Sequence, residues 1–174
     1  MSSKFILALT GPAGSGKTTL ATKLAKELPM CVNIDADHIK HMVPSGFHVE
    51  TRADGAEDWK YHEWELVGDN IGLLAANFAS KGFDVIINGY IDEPGWRAIE
   101  RRIAITHKVL LLPNLEVNQY RDKQRPGDEP MGDFDVKRHH DYFSSDNFLN
   151  DFIKIDSSEH TIEETANEIK GMLA

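Results

Sequence analysis

Phe5-Ile6-Leu7-Ala8-Leu9 is an unbroken apolar run of the length a buried strand takes. Leu20, Leu24 and Leu28 then recur at i, i+4 and i+8, the spacing of one helical face, and Pro29 closes that segment. Met30 to Ile34 is a second short apolar run, followed by a short helix over His38 to Met42. Pro44 to Arg52, with Gly46, Phe47 and His48, has no periodicity and reads as a loop. Asp54 and Glu57 have the form of a capping box, predicting a helix that runs to about Lys81 and stops at Gly82. Along it Trp64, Val67, Ile71, Leu74 and Phe78 make a core stripe, while Gly68, Gly72, Ala76 and Ala79 make a small-residue face that lets another backbone come close.

The same alternation continues to the end of the chain. Asp84 to Asn88 carries a third strand. A helix opens at Asp92 to Pro94, with Trp96, Ile99 and Ile103 inward and Arg97, Arg101 and Arg102 solvated. Lys108 to Leu112 is a fourth strand stopped by Pro113, and Asn114 caps a helix that runs to Arg125, before Pro126. Phe152 to Ile155 is the fifth strand, and Thr161 with Glu164 repeats the capping box ahead of a closing helix that carries Ile162, Ile169 and Leu173. Five short strands alternating with helices predict an α/β fold: a parallel sheet with right-handed crossovers and helices on both faces, in a single domain spanning residues 1–174.

Composition narrows the function classes. With 19 Lys+Arg against 28 Asp+Glu, the net charge of -9 argues against a protein that grips a nucleic-acid backbone over a broad surface. The single Cys31 has no internal disulfide partner and reads as a packed thiol, which suits a reducing, cytoplasmic setting. No apolar run approaches the length of a membrane span.

The chemistry begins at Gly11-Pro12-Ala13-Gly14-Ser15-Gly16-Lys17-Thr18, which satisfies G-x-x-x-x-G-K-[ST] at every specified position between a strand and a helix. Glycines let the backbone wrap an anion with its N–H groups pointing inward, Lys17 reaches the β- and γ-phosphates, and the helix start at Thr18 and Thr19 adds partial positive charge. The candidate nucleotide-binding residues are therefore Gly11 through Thr19.

Asp35 and Asp37 end the second run as D-x-D, at the strand end where ligands of parallel sheets bind. The spacing lets one carboxylate serve a metal's water shell while the other meets a substrate hydroxyl. Asp37 also reads as the N-cap of the next helix, and the two roles are compatible. Asn88 stands at the third strand's tip, where a carboxylate would help orient a metal, so a metal leans on Thr18 and Asp35. Arg121 and Arg125, at i and i+4 beside the Pro- and Gly-rich stretch 126–132, suit a lid over residues of about 121–135 that closes on triphosphate. The alternative is a salt-bridged surface with Asp122, Asp128 and Glu129. His139-His140 and the pair His38 and His41 lack zinc-ligand spacing. Trp59, Tyr61, His62 and Asn70 lie off the core stripe, where they either line a substrate pocket or sit half-exposed.

With the glycine loop, the D-x-D after the second strand and the arginines after the fourth, the chain resembles the P-loop small-molecule kinases. Among them it is similar to the gluconate kinase, shikimate kinase and chloramphenicol phosphotransferase group. The resemblance implies a three-layer sandwich with strand order 2-3-1-4-5, ATP and Mg²⁺ as cofactors, and a small-molecule hydroxyl as acceptor. It further implies Asp37 as base or orienting group, Asp35 and Thr18 at the metal, Lys17 and Arg121 or Arg125 on phosphates, and Asp156 to Ser158 near adenine. A polynucleotide 5′-hydroxyl kinase and a nucleotide-binding switch or ATPase without acceptor are the alternatives.

Overall fold

Residues whose side chains alternate between two apolar layers form the middle of the molecule. In a computed structural model, residues 4–44, 60–125 and 130–173 are described, with the backbone alone at 60–62. The strands are β1 (Ile6–Thr10), β2 (Cys31–Asp35), β3 (Asp84–Asn88), β4 (His107–Leu111) and β5 (Ile153–Ile155), all parallel, in the order β2-β3-β1-β4-β5. The expected strand order is therefore the one observed. The helices are α1 (Lys17–Glu27), α2 (Ala36–Lys40), α3 (Lys60–Ser80), α4 (Glu93–Glu100), α5 (Leu115–Lys123), α6 (Asp133–Ser145) and α7 (Ile162–Leu173), with a 3₁₀ turn at Asn147–Asp151.

The two-residue strand period sends Ile6 and Ala8 to one face and Leu7 and Leu9 to the other. The first face packs with Ile34, Val85 and Ile87 against Trp64, Val67 and Ile71 of α3 and Trp96 and Ile99 of α4. The second packs with Ile86, Val109 and Ile155 against Leu20 and Leu24 of α1 and Ala166 and Ile169 of α7. Burial of the central strand on both faces explains why its sequence is a continuous apolar run. The small-residue face of α3 does what its composition predicts: a Cβ on Gly68 would lie 2.2 Å from the Gly95 carbonyl of α4, so only glycine permits that crossing.

Several boundaries differ from expectation. α3 is described from Lys60, and the expected capping residues Asp54 and Glu57, the loop 45–52 and Trp59 lie outside the described residues. Leu74 is exposed and Ala75 continues the buried line in its place, because the inward face of α3 follows the α4 contact rather than the largest side chains. Arg97, Arg101 and Arg102 are exposed, as expected, and pair with Glu93, Glu65 and Asp69. α6 and the 3₁₀ turn, absent from the pattern-based reading, occupy the span between α5 and β5. The second capping box forms as expected: Thr161 Oγ1 accepts from Glu164 N at 3.2 Å, and the Glu164 carboxylate accepts from Thr161 N at 2.8 Å.

Gly89 is where the sheet hands over to the site. Its φ is 151°, its carbonyl accepts from Thr10 Oγ1 at 2.9 Å, and a Cβ there would stand 2.6 Å from the Ala36 Cβ. Gly89→Ala is expected to push apart the β3 tip and the Asp35-Ala36-Asp37 turn, lowering the unfolding free energy by about 2 kcal/mol in a denaturant titration.

Candidate functional site

The loop between β1 and α1 is shaped by three glycines at positive φ, Gly11, Gly14 and Gly16. Ser15 N donates to Pro12 O at 3.2 Å, closing the turn. Gly14, at φ 76°, presses against α5 so closely that a Cβ would lie 2.2 Å from the Asn118 carbonyl oxygen. Gly16 enters α1 at φ 89°, and no side chain caps the helix. The first N–H groups of α1 are thus left without a side-chain partner, the state an anion site requires. The Ser15 hydroxyl is buried with no hydrogen-bond partner among the described residues. An orphaned hydroxyl beside uncapped amides fits the phosphate oxygens that Gly11–Thr19 were expected to hold.

Lys17 keeps part of its surface open, yet the loop wrapped round its stem desolvates the ammonium, and its Nζ donates to Pro12 O at 3.2 Å. Burial pulls its pKa down from 10.5 to about 8; Asp37 raises it, Arg125 lowers it and Asp35 raises it again. Four groups that the sequence scattered between positions 17 and 125 therefore share one electrostatic neighbourhood. The free protein should lose phosphate affinity as Lys17 deprotonates. The kcat/KM for nucleotide is expected to fall about tenfold per pH unit above a pH of about 8. Stability should move the other way. The native state binds the Lys17 proton less tightly than the unfolded chain, so unfolding free energy rises between pH 8 and 10.5 and is lost as pH falls back through 8. Rate and melting profiles across that window check both signs.

The carboxylates divide their tasks differently from expectation. The N-cap of α2 is Asp35, not Asp37: the Asp35 Oδ1 accepts from Asp37 N at 2.9 Å. The helix begins two residues earlier than the pattern indicated, so Asp37 sits in its first turn with its carboxylate exposed and uncommitted to capping. Asn88 is fully buried at the β3 tip, where its amide donates to Asn33 Oδ1 at 2.7 Å. That bond orients it along the sheet, and Asp35 is its register partner on β2. Thr18 is exposed at the start of α1 and Asp35 half-buried at the end of β2, and no group of three or more His, Cys, Asp and Glu suited to a metal exists among the described residues. One hydroxyl and one carboxylate fit a hard cation that takes its other ligands from phosphates and water. Cys31 is half-buried, and burial pushes its thiol up to about 11, which leaves it inert as a nucleophile.

The two arginines do not act as one lid face. α5 ends at Lys123, so Arg125 lies beyond the helix and the i, i+4 geometry does not hold. Arg121 turns toward β5 instead: its guanidinium donates to Ser157 O at 2.9 Å. It lines a cavity of about 180 Å³ with Gly16, Thr19, Leu111, Ser157 and His160, beside the expected adenine-side segment Asp156 to Ser158. Arg125 stands 3.6 Å from Asp122, and Asp122 is 1% exposed, so the expected surface pair has a buried anchor. Asp122 Oδ2 also accepts from Gly132 N at 3.2 Å, tying α5 to the start of α6. Residues 126–129 of the expected lid, Asp128 and Glu129 included, lie outside the described residues.

α6 brings onto Tyr90, just past the β3 tip, a residue considered from the sequence only for zinc. The His139 ring stacks on Tyr90 at 4.6 Å between centroids, and Tyr90 in turn meets Trp64 at 5.9 Å. The period that would have exposed this helix is present in Val136 and Phe143, buried at i and i+7, with His139 between them.

Fold and loop together define a P-loop NTPase. The chain belongs to the AAA domain family, whose model matches residues 6–140. The tunicamycin resistance protein of Deinococcus radiodurans is similar at a TM-score of 0.71 and 18% identity, over 98% of this chain and 96% of that one. A sugar kinase from Janibacter sp. is similar at a TM-score of 0.66 and 16% identity, over 98% and 94%. A gluconokinase from Sinorhizobium meliloti is similar at 0.64 and 15%, over 99% and 93%. The resemblance to P-loop small-molecule kinases thus extends to the fold along almost the whole chain. No curated protein matches. No helix among the described residues is long and apolar enough to cross a membrane.

Proposed function

We propose that the protein is an ATP- and Mg²⁺-dependent phosphotransferase that moves the γ-phosphoryl group to a hydroxyl of a small molecule. The observation that carries this reading is at the end of β2: Asp35 caps α2 and leaves the Asp37 carboxylate exposed in its first turn, near enough to Lys17 to raise the pKa of its ammonium. Nucleotide binding alone would not need an exposed carboxylate there. The sugar kinase and the gluconokinase that share this fold support the same class.

In this reading the loop amides and the Ser15 hydroxyl hold the donor's phosphates, and Lys17 lies against the β- and γ-oxygens. Arg121 and Ser157 border the nucleoside end, and Arg125, anchored by Asp122, faces the phosphate side. Thr18 and Asp35 would hold Mg²⁺, which when bound neutralises charge on the phosphate oxygens. Asp37 orients the acceptor hydroxyl and takes its proton as the oxygen attacks the γ-phosphorus, while the bond from that phosphorus to the β–γ bridging oxygen breaks and ADP leaves. Alignment and charge stabilisation carry the rate, since the transition state requires little covalent help from the protein. The site is expected to work in a reducing cytoplasm.

ADP release in the presence of sugars, sugar acids, nucleosides and antibiotic-like alcohols tests the proposal. Stimulation by one such compound, with a phosphomonoester as product, is the expected result. ADP release indifferent to every added alcohol would instead favour the switch or ATPase reading. Phosphorylation of an oligonucleotide 5′-hydroxyl with steep salt dependence would move the acceptor to nucleic acid.

A further inference from the structure

The cleft has a wall that neither the phosphate loop nor the carboxylates account for. Tyr90 follows Gly89, which is wedged between Thr10, next to the phosphate loop, and Ala36, between the two aspartates. Its ring therefore begins at the junction of donor and base. Trp64 of α3 lies 5.9 Å from it on one side, and His139 of α6 covers it at 4.6 Å and an interplanar angle of 35°. His139 is half-buried, and no described residue hydrogen-bonds its ring nitrogens. Its contact with Tyr90 brings it within electrostatic range of Lys17 and Asp122. Burial and then the Arg138 and Lys17 charges lower its pKa, against the smaller opposing pull of Asp135 and Asp122, so the imidazole is neutral near pH 7.

The cations near this wall are already matched. Lys40 pairs with Glu63 at 3.1 Å while lying over the Trp64 ring, Arg125 pairs with Asp122, and Arg138 pairs with Asp135 at 3.0 Å. On the other side of this junction the Asp35 and Asp37 carboxylates end β2 and open α2, and they would repel an acceptor's carboxylate.

We propose that the acceptor packs against the Tyr90–His139 stack, with the His139 imidazole hydrogen-bonded to it, and that it is an uncharged ring-shaped hydroxyl compound, a nucleoside or a free sugar. Aromatic walls favour a flat or C–H-bearing ring face, and a neutral imidazole supplies one donor or one acceptor for an adjacent hydroxyl. The inference rests on the phosphotransferase reading and narrows its acceptor.

The test compares ADP release with uridine, thymidine, D-glucose and D-ribose against D-gluconate and shikimate at one shared concentration, followed by His139→Phe and His139→Gln. Phe keeps the stack on Tyr90 and removes the hydrogen bond; Gln keeps a polar partner and loses the ring. A neutral ring compound should be preferred, and His139→Phe should raise its KM about tenfold relative to the KM for ATP, the loss of one buried hydrogen bond. His139→Gln should recover part of that loss. Turnover of gluconate or shikimate alone would overturn the inference and leave the kinase reading standing. An acceptor-to-ATP KM ratio unchanged in His139→Phe would overturn it as well. ADP release that responds to none of these compounds would overturn the inference, and the phosphotransferase reading falls with it only when antibiotic-like alcohols fail to stimulate release as well.

Discussion

Lys17→Ala is expected to lower kcat/KM for phosphoryl transfer by at least about 100-fold while the protein stays folded. The rate loss follows from removing the single ammonium that the loop directs at the phosphates. The folding outcome follows from burial: the loop holds that ammonium against a desolvation cost large enough to bring its pKa to about 8. Removing it lifts this cost, so the thermal midpoint of Lys17→Ala should equal or exceed that of the parent. Transfer at near-parent rate in a folded Lys17→Ala protein would refute the role given to the loop.

Asp37→Asn separates chemistry from nucleotide binding. Asn preserves shape, and the Asp35 cap of α2 depends only on the backbone N–H of position 37, so the turn remains intact. Loss of the proton acceptor should lower kcat about 100- to 1000-fold with a small change in KM for ATP. A second effect comes from the same charge. Asp37 raises the pKa of Lys17, so in Asp37→Asn the alkaline fall in kcat/KM should begin at a lower pH than in the parent. A base role without this shift would mean that the two side chains act independently. A shift without loss of kcat would leave Asp37 as an electrostatic partner of Lys17 and nothing more.

Local signals were the ones legible in the chain. The phosphate loop was readable because its geometry is imposed by residue types at fixed spacing, and the flanking β1 run and α1 period supplied the context. The parallel α/β class followed from apolar runs alternating with helices, and the strand order from the resemblance to P-loop small-molecule kinases. Capping was read correctly at Asn114 and Thr161, where the side chain bonds an amide three residues on. It was misassigned at the D-x-D, where either carboxylate could cap and only the start of α2, at Ala36, selects Asp35.

The rest depended on contacts between distant residues. Arg121 and Arg125 look equivalent on a helical wheel, but α5 stops at Lys123, and the Ser157 carbonyl on one side and buried Asp122 on the other draw them apart. α6 carries only two buried apolar positions among polar ones, a weak period that becomes a helix through packing on the aromatic cluster at Tyr90.

By itself the sequence determined the anion loop, the α/β class and the presence of carboxylates at the end of β2, because backbone geometry and hydrophobic period act over a few residues. Tertiary structure alone decided which aspartate caps α2, where each arginine points and that His139 stacks on Tyr90. Those outcomes depend on through-space distances between segments up to about 120 positions apart, and side-chain chemistry carries no record of such distances until the sheet brings the segments together.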